Sequence, residues 1–405
     1  MKSTSAHDAH TDPARRPEGE EHPLIFAVRA VLRFFFHPAD PTSLGLMRIA
    51  TGVLVLYIHL VYCIGLTDYF GRYAWVGNDY TKLLRTEYPL QGPSSNWKEG
   101  AMESNGEIYR GQSTWSIFFH VEDPKWLWTI HVAILAIMLL FTLGLWTRVT
   151  SVLTWLGSLM YIQRLQNGML FGMDTMTNLG LLYLMVGSVF GLLLDEGNNL
   201  APCGAALSLD RWLQQRRDRR RLGATFVPQP PLPLVSAQFT TRLIQLNFCF
   251  IYFAAGTSKL LGSSWWNATA PNRFLLNYSF APFDVPAYVE FIKWMVSHRW
   301  LWEVNGVLGV VGTLFLELGF PFLVWNRRMR WFMVCGSILF HTLIALLMGL
   351  VTFSLMMLAL LLAFVPPEAV RQTVESYVEQ VRQLFFGRSA VTRHDQRGGL
   401  GPVGV

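Results

Sequence analysis

The sequence predicts an all-α fold, a polytopic integral membrane helical bundle of about eight transmembrane helices with interfacial amphipathic helices beside them. Three observations carry this. First, the 405 residues are 52% hydrophobic and only 15% charged, against roughly 25% charged in an average globular domain, so the usual charged surface is missing. Second, stretches such as 130–145 and 351–364 hold no charge at all, and several approach the ~20 residues that cross a hydrocarbon core. Third, the basic residues behind the net charge of +6 sit in loops between apolar runs, where they set membrane orientation and do not point to nucleic acid. The composition excludes a soluble enzyme, a collagenous chain and a disordered polymer.

Residues 1–23 are polar, lack the basic-then-apolar order of a cleavable signal, and read as a disordered cytoplasmic N-terminus, so the first span serves as its own insertion signal. Residues 24–36 are apolar but interrupted by Arg29 and Arg33, and too short to span. They predict an interfacial helix on the cytoplasmic face, ended by Pro38 and Pro41. The first span follows at 43–66, and the polar segment 67–125 is expected outside. Two close spans, 126–146 and 149–162, are joined by a cytoplasmic turn at Arg148. Residues 165–175 are too polar and Gly-rich for a span yet too apolar for an ordinary loop. They are expected to fold back against the bundle as a short outer or re-entrant loop, with Asn167 and Asp174 buried and hydrogen-bonded.

The fourth span, 176–194, returns to a cytoplasmic loop that carries Arg211, Arg216, Arg217 and Arg219 to Arg221, then a Pro-rich piece at 228–233. A fifth span at 243–261 exits into an aromatic outer segment, 265–302. The sixth, 304–325, ends at Arg327, Arg328 and Arg330, and a hairpin of 331–347 with 352–364 brings the chain back inside. Every basic cluster falls on one side of this assignment. Valines 370, 374, 378 and 381 with Phe385 recur at helical spacing, which predicts a second amphipathic surface helix over 368–386. The domain plan is therefore a transmembrane domain at 24–366 followed by a cytoplasmic amphipathic helix and disordered Gly-rich tail at 367–405. The expected location is the plasma (inner) membrane, multi-pass, with both termini cytoplasmic.

Ionisable groups at membrane depth are functional candidates by default. Arg48 lies near the inner start of the first span, where snorkelling or a structural ion pair competes with a role in a site. Glu317 has no basic residue close in sequence and must be paired or protonated, with Arg48 or Arg164 as structural partners. His341 is deeply placed, whereas His59 and His131, alone on apolar helices, read as packing residues. Asn167 and Asp174 are also ordinary turn formers. Lys259 ends the fifth span after the apolar run 248–255. It is either a snorkelling anchor or a buried amine, for which desolvation would favour the neutral form and make it a usable base. Cys63, Cys203, Cys249 and Cys335 are far apart without a CxxC pair and read as buried thiols, with no metal site.

The stretch Ile251-Tyr252-Phe253-Ala254-Ala255-Gly256-Thr257-Ser258-Lys259-Leu260 resembles the segment of vitamin K-dependent γ-carboxylase that holds its catalytic lysine, Tyr-Phe-x-Ala-Gly-x-Lys-Lys-Leu. Lys259 matches the second lysine and Ser258 replaces the first. Phe340-His341, followed by Gly349 and Phe353, is similar to the family's Phe-His segment. The opening from Pro41 to Ile49 and the loop from Asn167 to Asp174 resemble the bacterial HTTM (horizontally transferred transmembrane) domain. Together these cover most of 40–366. The resemblance implies a site on the extracytoplasmic side, where a lysine base deprotonates a reduced quinone so that oxygen converts it to an epoxide and a strong base. The carboxylase carries a histidine where this chain has Asn167, and residues 367–405 hold no counterpart of its large substrate-gripping domain.

Two readings follow. In one, the chain is a quinol-oxidising, epoxidase-type or carboxylase-like lyase acting on a small membrane-soluble molecule, with Lys259 and His341 catalytic and Arg48, Asn167, Asp174, Asn247, Ser258 and Glu317 lining the cavity. In the other, it is a non-enzymatic scaffold, immunity-type or transport module whose buried charges merely pair. A transporter is expected to show an internal repeat with interrupted helices, and the sequence holds no convincing one.

Overall fold

A computed structural model describes residues 22–86, 114–166, 171–195, 201–277 and 286–386. Most of the described residues are helical, with one isolated β-bridge between Ala39 and Leu234 among them. In order the helices are α1 (Pro23–Phe36), α2 (Thr42–Val61), α3 (Leu66–Phe70), α4 (Asn78–Thr86), α5 (Pro124–Leu143), α6 (Thr147–Leu165), α7 (Gly172–Leu194) and α8 (Leu209–Leu222). There follow α9 (Val235–Leu260), α10 (Ser263–Trp266), α11 (Ala270–Leu276), α12 (Pro286–Ser297), α13 (Arg299–Leu323), α14 (Arg327–Met348), α15 (Val351–Leu361) and α16 (Pro367–Phe386).

Local chemistry explains where the long helices start and stop. Asp123 caps α5 by accepting the Lys125 and Trp126 amides, with Pro124 in the first turn, where a missing N–H costs nothing. Gly144 ends α5 at φ +74°, and a Cβ there would meet Ser208 Cβ at 2.6 Å. Asn326 caps α14 through the Arg328 and Met329 amides, turning the chain directly after α13.

Among the described residues, five helices are long and apolar enough to cross a membrane: Thr42–Ile64, Pro124–Leu143, Gly172–Leu194, Arg299–Leu323 and Arg327–Met348. Val351–Phe364, bent by 114° against Pro367–Val381, makes a sixth if that pair counts as one span. Their outward faces are apolar, with Leu308, Phe322 and Leu339 each more than half exposed. A surface of that kind faces lipid and not water, as in a membrane protein. The other expected spans are also helices, but α6 and α9 carry too many polar residues to meet the same test and α15 has only 11 residues.

The expected polar connections contain more helix than their composition showed: α3 and α4 within 67–125, α8 within the basic loop, and α10 to α12 within the aromatic segment. Ser208 caps α8 through the Arg211 amide, and Arg219, Arg220 and Arg221 sit in its last turn, where cations complement the helix dipole. The loop expected at 165–175 is shorter than expected, because Leu165 closes α6 and Gly172 already opens α7. Asn167 lies outside the described residues.

The core runs through the bundle from Leu44 and Met47 of α2 to Phe320 of α13 and Met333 of α14. Central α9 packs on α13, α7, α1 and α15. Contacts also fix which helix ends are level. Ala39 pairs with Leu234, Asp195 accepts from the amide and hydroxyl of Ser236, and Arg242 stacks over Phe34 at 4.2 Å and Trp325 at 5.9 Å. The starts of α2 and α9 and the ends of α7 and α13 therefore share one end of the bundle, and Arg148, α8 and Arg327 to Arg330 gather there. Lys259 is 25 residues beyond Leu234, about 37 Å away along α9. It belongs to the opposite end.

Candidate functional site

Lys259, in the last turn of α9, donates from Nζ to Oε1 of Glu317 on α13 at 2.7 Å. Its side chain is 25% exposed and that of Glu317 only 6%. The ammonium also lies 5.3 Å from the Trp265 ring centroid, so a carboxylate and an aromatic face hold it together. The structural partner expected for Glu317 was Arg48 or Arg164; it is Lys259. Lys259 is neither an isolated buried amine nor a snorkelling anchor, because its charge is spent on a carboxylate inside the bundle.

Two backbone features bring the pair together. Gly256 lies one turn before Lys259, and a Cβ there would stand 2.8 Å from Leu318 Cδ2 and 3.1 Å from Glu317 Cβ. Only a glycine lets α9 and α13 approach this closely without a shift. Pro321 sits inside α13 and has no N–H, so the carbonyl of Glu317, four residues earlier, loses its intrahelical donor. The helix is thus loosened at the residue that carries the carboxylate.

Two and three turns below Lys259, α9 presents Tyr252 and Phe248. The Tyr252 hydroxyl meets Nε2 of His341 on α14 at 2.7 Å. Tyr252 and His341 are both 2% exposed. Phe320 at 5.0 Å from Tyr252 and Phe353 at 5.9 Å from His341 wall the pair with rings. The cluster is under-satisfied: Glu317 Oε2 and His341 Nδ1 are buried without a hydrogen-bond partner among the described residues. Buried polar atoms are normally paired, so these two atoms, on α13 and α14, mark spare hydrogen-bonding capacity.

The other expected site residues are not part of this cluster. Ser258 is exposed on α9, and Asn247 is half-buried and makes no hydrogen bond among those found in the described residues. Arg48 stands at the basic end as a clamp: its guanidinium donates to the carbonyls of Gly204 at 2.9 Å, Thr142 at 2.7 Å, Leu207 at 2.5 Å and also Phe141. It ties the end of α5 to the segment before α8 and does not snorkel. Asp174 lies in the first turn of α7, 8% exposed, and its carboxylate accepts the Phe171 amide at 3.0 Å. That is a helix cap.

Asp174 also borders a second polar cluster that the sequence did not disclose. His131 on α5 meets the Tyr161 hydroxyl of α6 at 2.6 Å through Nδ1 and Cys63 Sγ at 3.2 Å through Nε2. His59 bonds the Val55 carbonyl through Nδ1 and leaves Nε2 without a partner beside a cavity of about 10 Å³ lined by Tyr161, Asp174, Ser158 and Thr177. That volume suits a single water. Spacing within one helix cannot show such a cluster, because its members come from α2, α5, α6 and α7. The cysteines are free; Cys203 and Cys249 are buried, while Cys335, expected to be buried, is exposed. No group of three potential metal ligands occurs among the described residues.

Compared with protein families, characterised proteins and solved structures, the chain has no significant match in any of the three. The likeness to the carboxylase membrane region therefore rests on its motifs alone.

Proposed function

We propose that the chain is a multi-pass membrane protein that handles a proton of a membrane-soluble small molecule, with a reduced quinone as the leading class, at the Lys259–Glu317 and Tyr252–His341 cluster. The supporting observation is the buried Glu317 carboxylate with one oxygen on Lys259 and the other without a partner. A quinol hydroxyl donating to Oε2 would meet a carboxylate whose charge the Lys259 ammonium already balances, so the proton would come to rest on Glu317 and leave the quinolate beside that ammonium. Lys259 is the base by resemblance; in this geometry Glu317 is the acceptor and the Lys259 ammonium its counter-charge. The competing reading is a scaffold, immunity-type or transport module in which the pair is structural. The test is turnover of reduced quinones with oxygen by purified wild type, Lys259→Arg, Lys259→Ala and Glu317→Gln. Loss in every variant supports the proposal. Retention in Lys259→Arg moves the base to Glu317, and absence of turnover in folded wild type favours the non-enzymatic reading.

The same proposal places the basic end in the cytoplasm and the Lys259 end outside the plasma membrane, with α2, α5, α6, α7, α9, α13, α14 and α15 as about eight spans. Positive clusters stay on the cytoplasmic side. Helix α9 is polar by composition yet suits the interior, since its Gln245 and Tyr252 are buried and bond Ala363 and His341. Labelling an introduced Arg219→Cys with an impermeant reagent in intact cells tests the orientation. Protection is expected, and labelling reverses it.

A further inference from the structure

A groove at the basic end lies far from Lys259 and is independent of it. It runs between α8, the Pro-rich segment at 228–231 and α16, with the start of α2 and the end of α5 on its floor, and encloses about 960 Å³. Sites for ligands of drug size occupy roughly 300–1,000 Å³. Part of its lining is apolar, made by Leu143, Leu207, Trp212, Val374 and Val378, of which Leu143, Trp212 and Val378 are 45%, 51% and 59% exposed. Leu143 is the last residue of α5, a helix fit to cross a membrane, so the groove opens where hydrocarbon ends.

The same lining carries two guanidiniums. Arg211 donates to the Gln229 carbonyl at 2.6 Å, and Arg371 pairs with Asp40 at 2.8 Å. Asp40 is buried behind the groove, its other oxygen accepting from the Thr42 amide and hydroxyl. Each arginine shows a single bond among the described residues, out of about five N–H donors. The planar fork that remains matches two phosphate oxygens. Glu375 lines the same groove and can accept from a hydroxyl or ammonium on a headgroup. Arg216, Arg217 and Arg219 to Arg221, against Asp218, add a positive field along α8.

We propose that this groove binds the headgroup of an anionic glycerophospholipid, with its phosphodiester on Arg211 and Arg371 and its first acyl carbons along Leu143 and Val378. The apolar floor distinguishes this ligand from a free phosphate compound, which has no use for it. The groove between α8 and α16 then serves as an anchor that reads leaflet charge.

The test is native mass spectrometry of the full chain in detergent, titrated with phosphatidylglycerol, phosphatidylcholine or glycerol phosphate. Wild type should retain one phosphatidylglycerol with about tenfold preference over phosphatidylcholine, each basic contact contributing several-fold. Arg211→Gln should lower that preference to a few-fold, and adding Arg371→Gln should abolish it. Arg328→Gln, at the same end of the bundle but outside the groove lining, should leave it within about twofold. The singly substituted Arg211→Gln guards against α16 detaching when its Asp40 pair is removed. Equal retention of both lipids by wild type overturns the proposal, as does an equal loss in Arg328→Gln, which would mean a diffuse field. Competition by glycerol phosphate at the lipid's own concentration would overturn the lipid assignment in favour of a free phosphate ligand.

Discussion

Arg48 and Glu317 are both charged side chains buried in the bundle, 1% and 5% exposed, yet its two ends use them differently. At the basic end, all three nitrogens of Arg48 donate to four carbonyls of α5 and the segment before α8. At the other end, Glu317 spends one oxygen on Lys259 and has no partner for the second. A buried charge whose hydrogen-bonding capacity is used up belongs to the framework. One with capacity left has something to offer a ligand, at a cost in stability.

The largest expected effect falls on the clamp. Arg48→Met should lower stability by about 3–5 kcal/mol, since four carbonyls lose their donor at about 1–3 kcal/mol each and relaxation recovers part. Thermal unfolding in detergent measures it, and a loss under about 1 kcal/mol would break the distinction between the two ends. Next is the ion pair. Lys259→Ala strands the Glu317 carboxylate and should cost about 2–4 kcal/mol, at the lower side of buried-pair losses because Lys259 is a quarter exposed. Neutralising the partner as well, in Lys259→Ala with Glu317→Gln, should recover at least about 1 kcal/mol; strict additivity of the two losses would show that the pair is uncoupled.

Asp174→Ala sharpens the comparison from a third position. A capping carboxylate is worth about 1 kcal/mol, so a modest loss with the quinol assay unaffected keeps Asp174 in the framework. A loss of activity without one of stability would move it into the site. The smallest effect belongs to Tyr252→Phe, about 0.5–1.5 kcal/mol for one hydrogen bond, read as a shift in unfolding midpoint. If a folded Tyr252→Phe protein lost all affinity for a quinone analogue while its stability fell that little, the spare capacity around His341 would be the binding determinant.

Much of the framework was legible in the residues. Uncharged runs gave the long helices, and the valine spacing gave α16. The segregation of arginines anticipated a single basic end, because charge is excluded from lipid wherever the chain can move it to a loop. Helices α3, α4, α8 and α10 to α12 were not legible. They are short or polar, and local caps such as Ser208 weigh more for them than any periodicity. The fifth apolar run was placed at 243–261, whereas α9 begins at Val235, because its polar first turns are covered by α1.

Of the candidate site, sequence alone determined the individual oddities: a carboxylate and a histidine deep in apolar runs, and a lysine ending another. Each breaks hydropathy locally, so each can be seen without neighbours. Which of them meet was decided only by the tertiary structure. Lys259 and Glu317 are 58 positions apart and Tyr252 and His341 are 89 apart. Arg48, as conspicuous in the sequence as Glu317, is held at the opposite end by backbone carbonyls that carry no residue-type signal. Helix packing, set by a close approach at Gly256 and by the level ends of α2 and α9, sorts such charges into partners and clamps, and spacing along one helix holds no information about its neighbours.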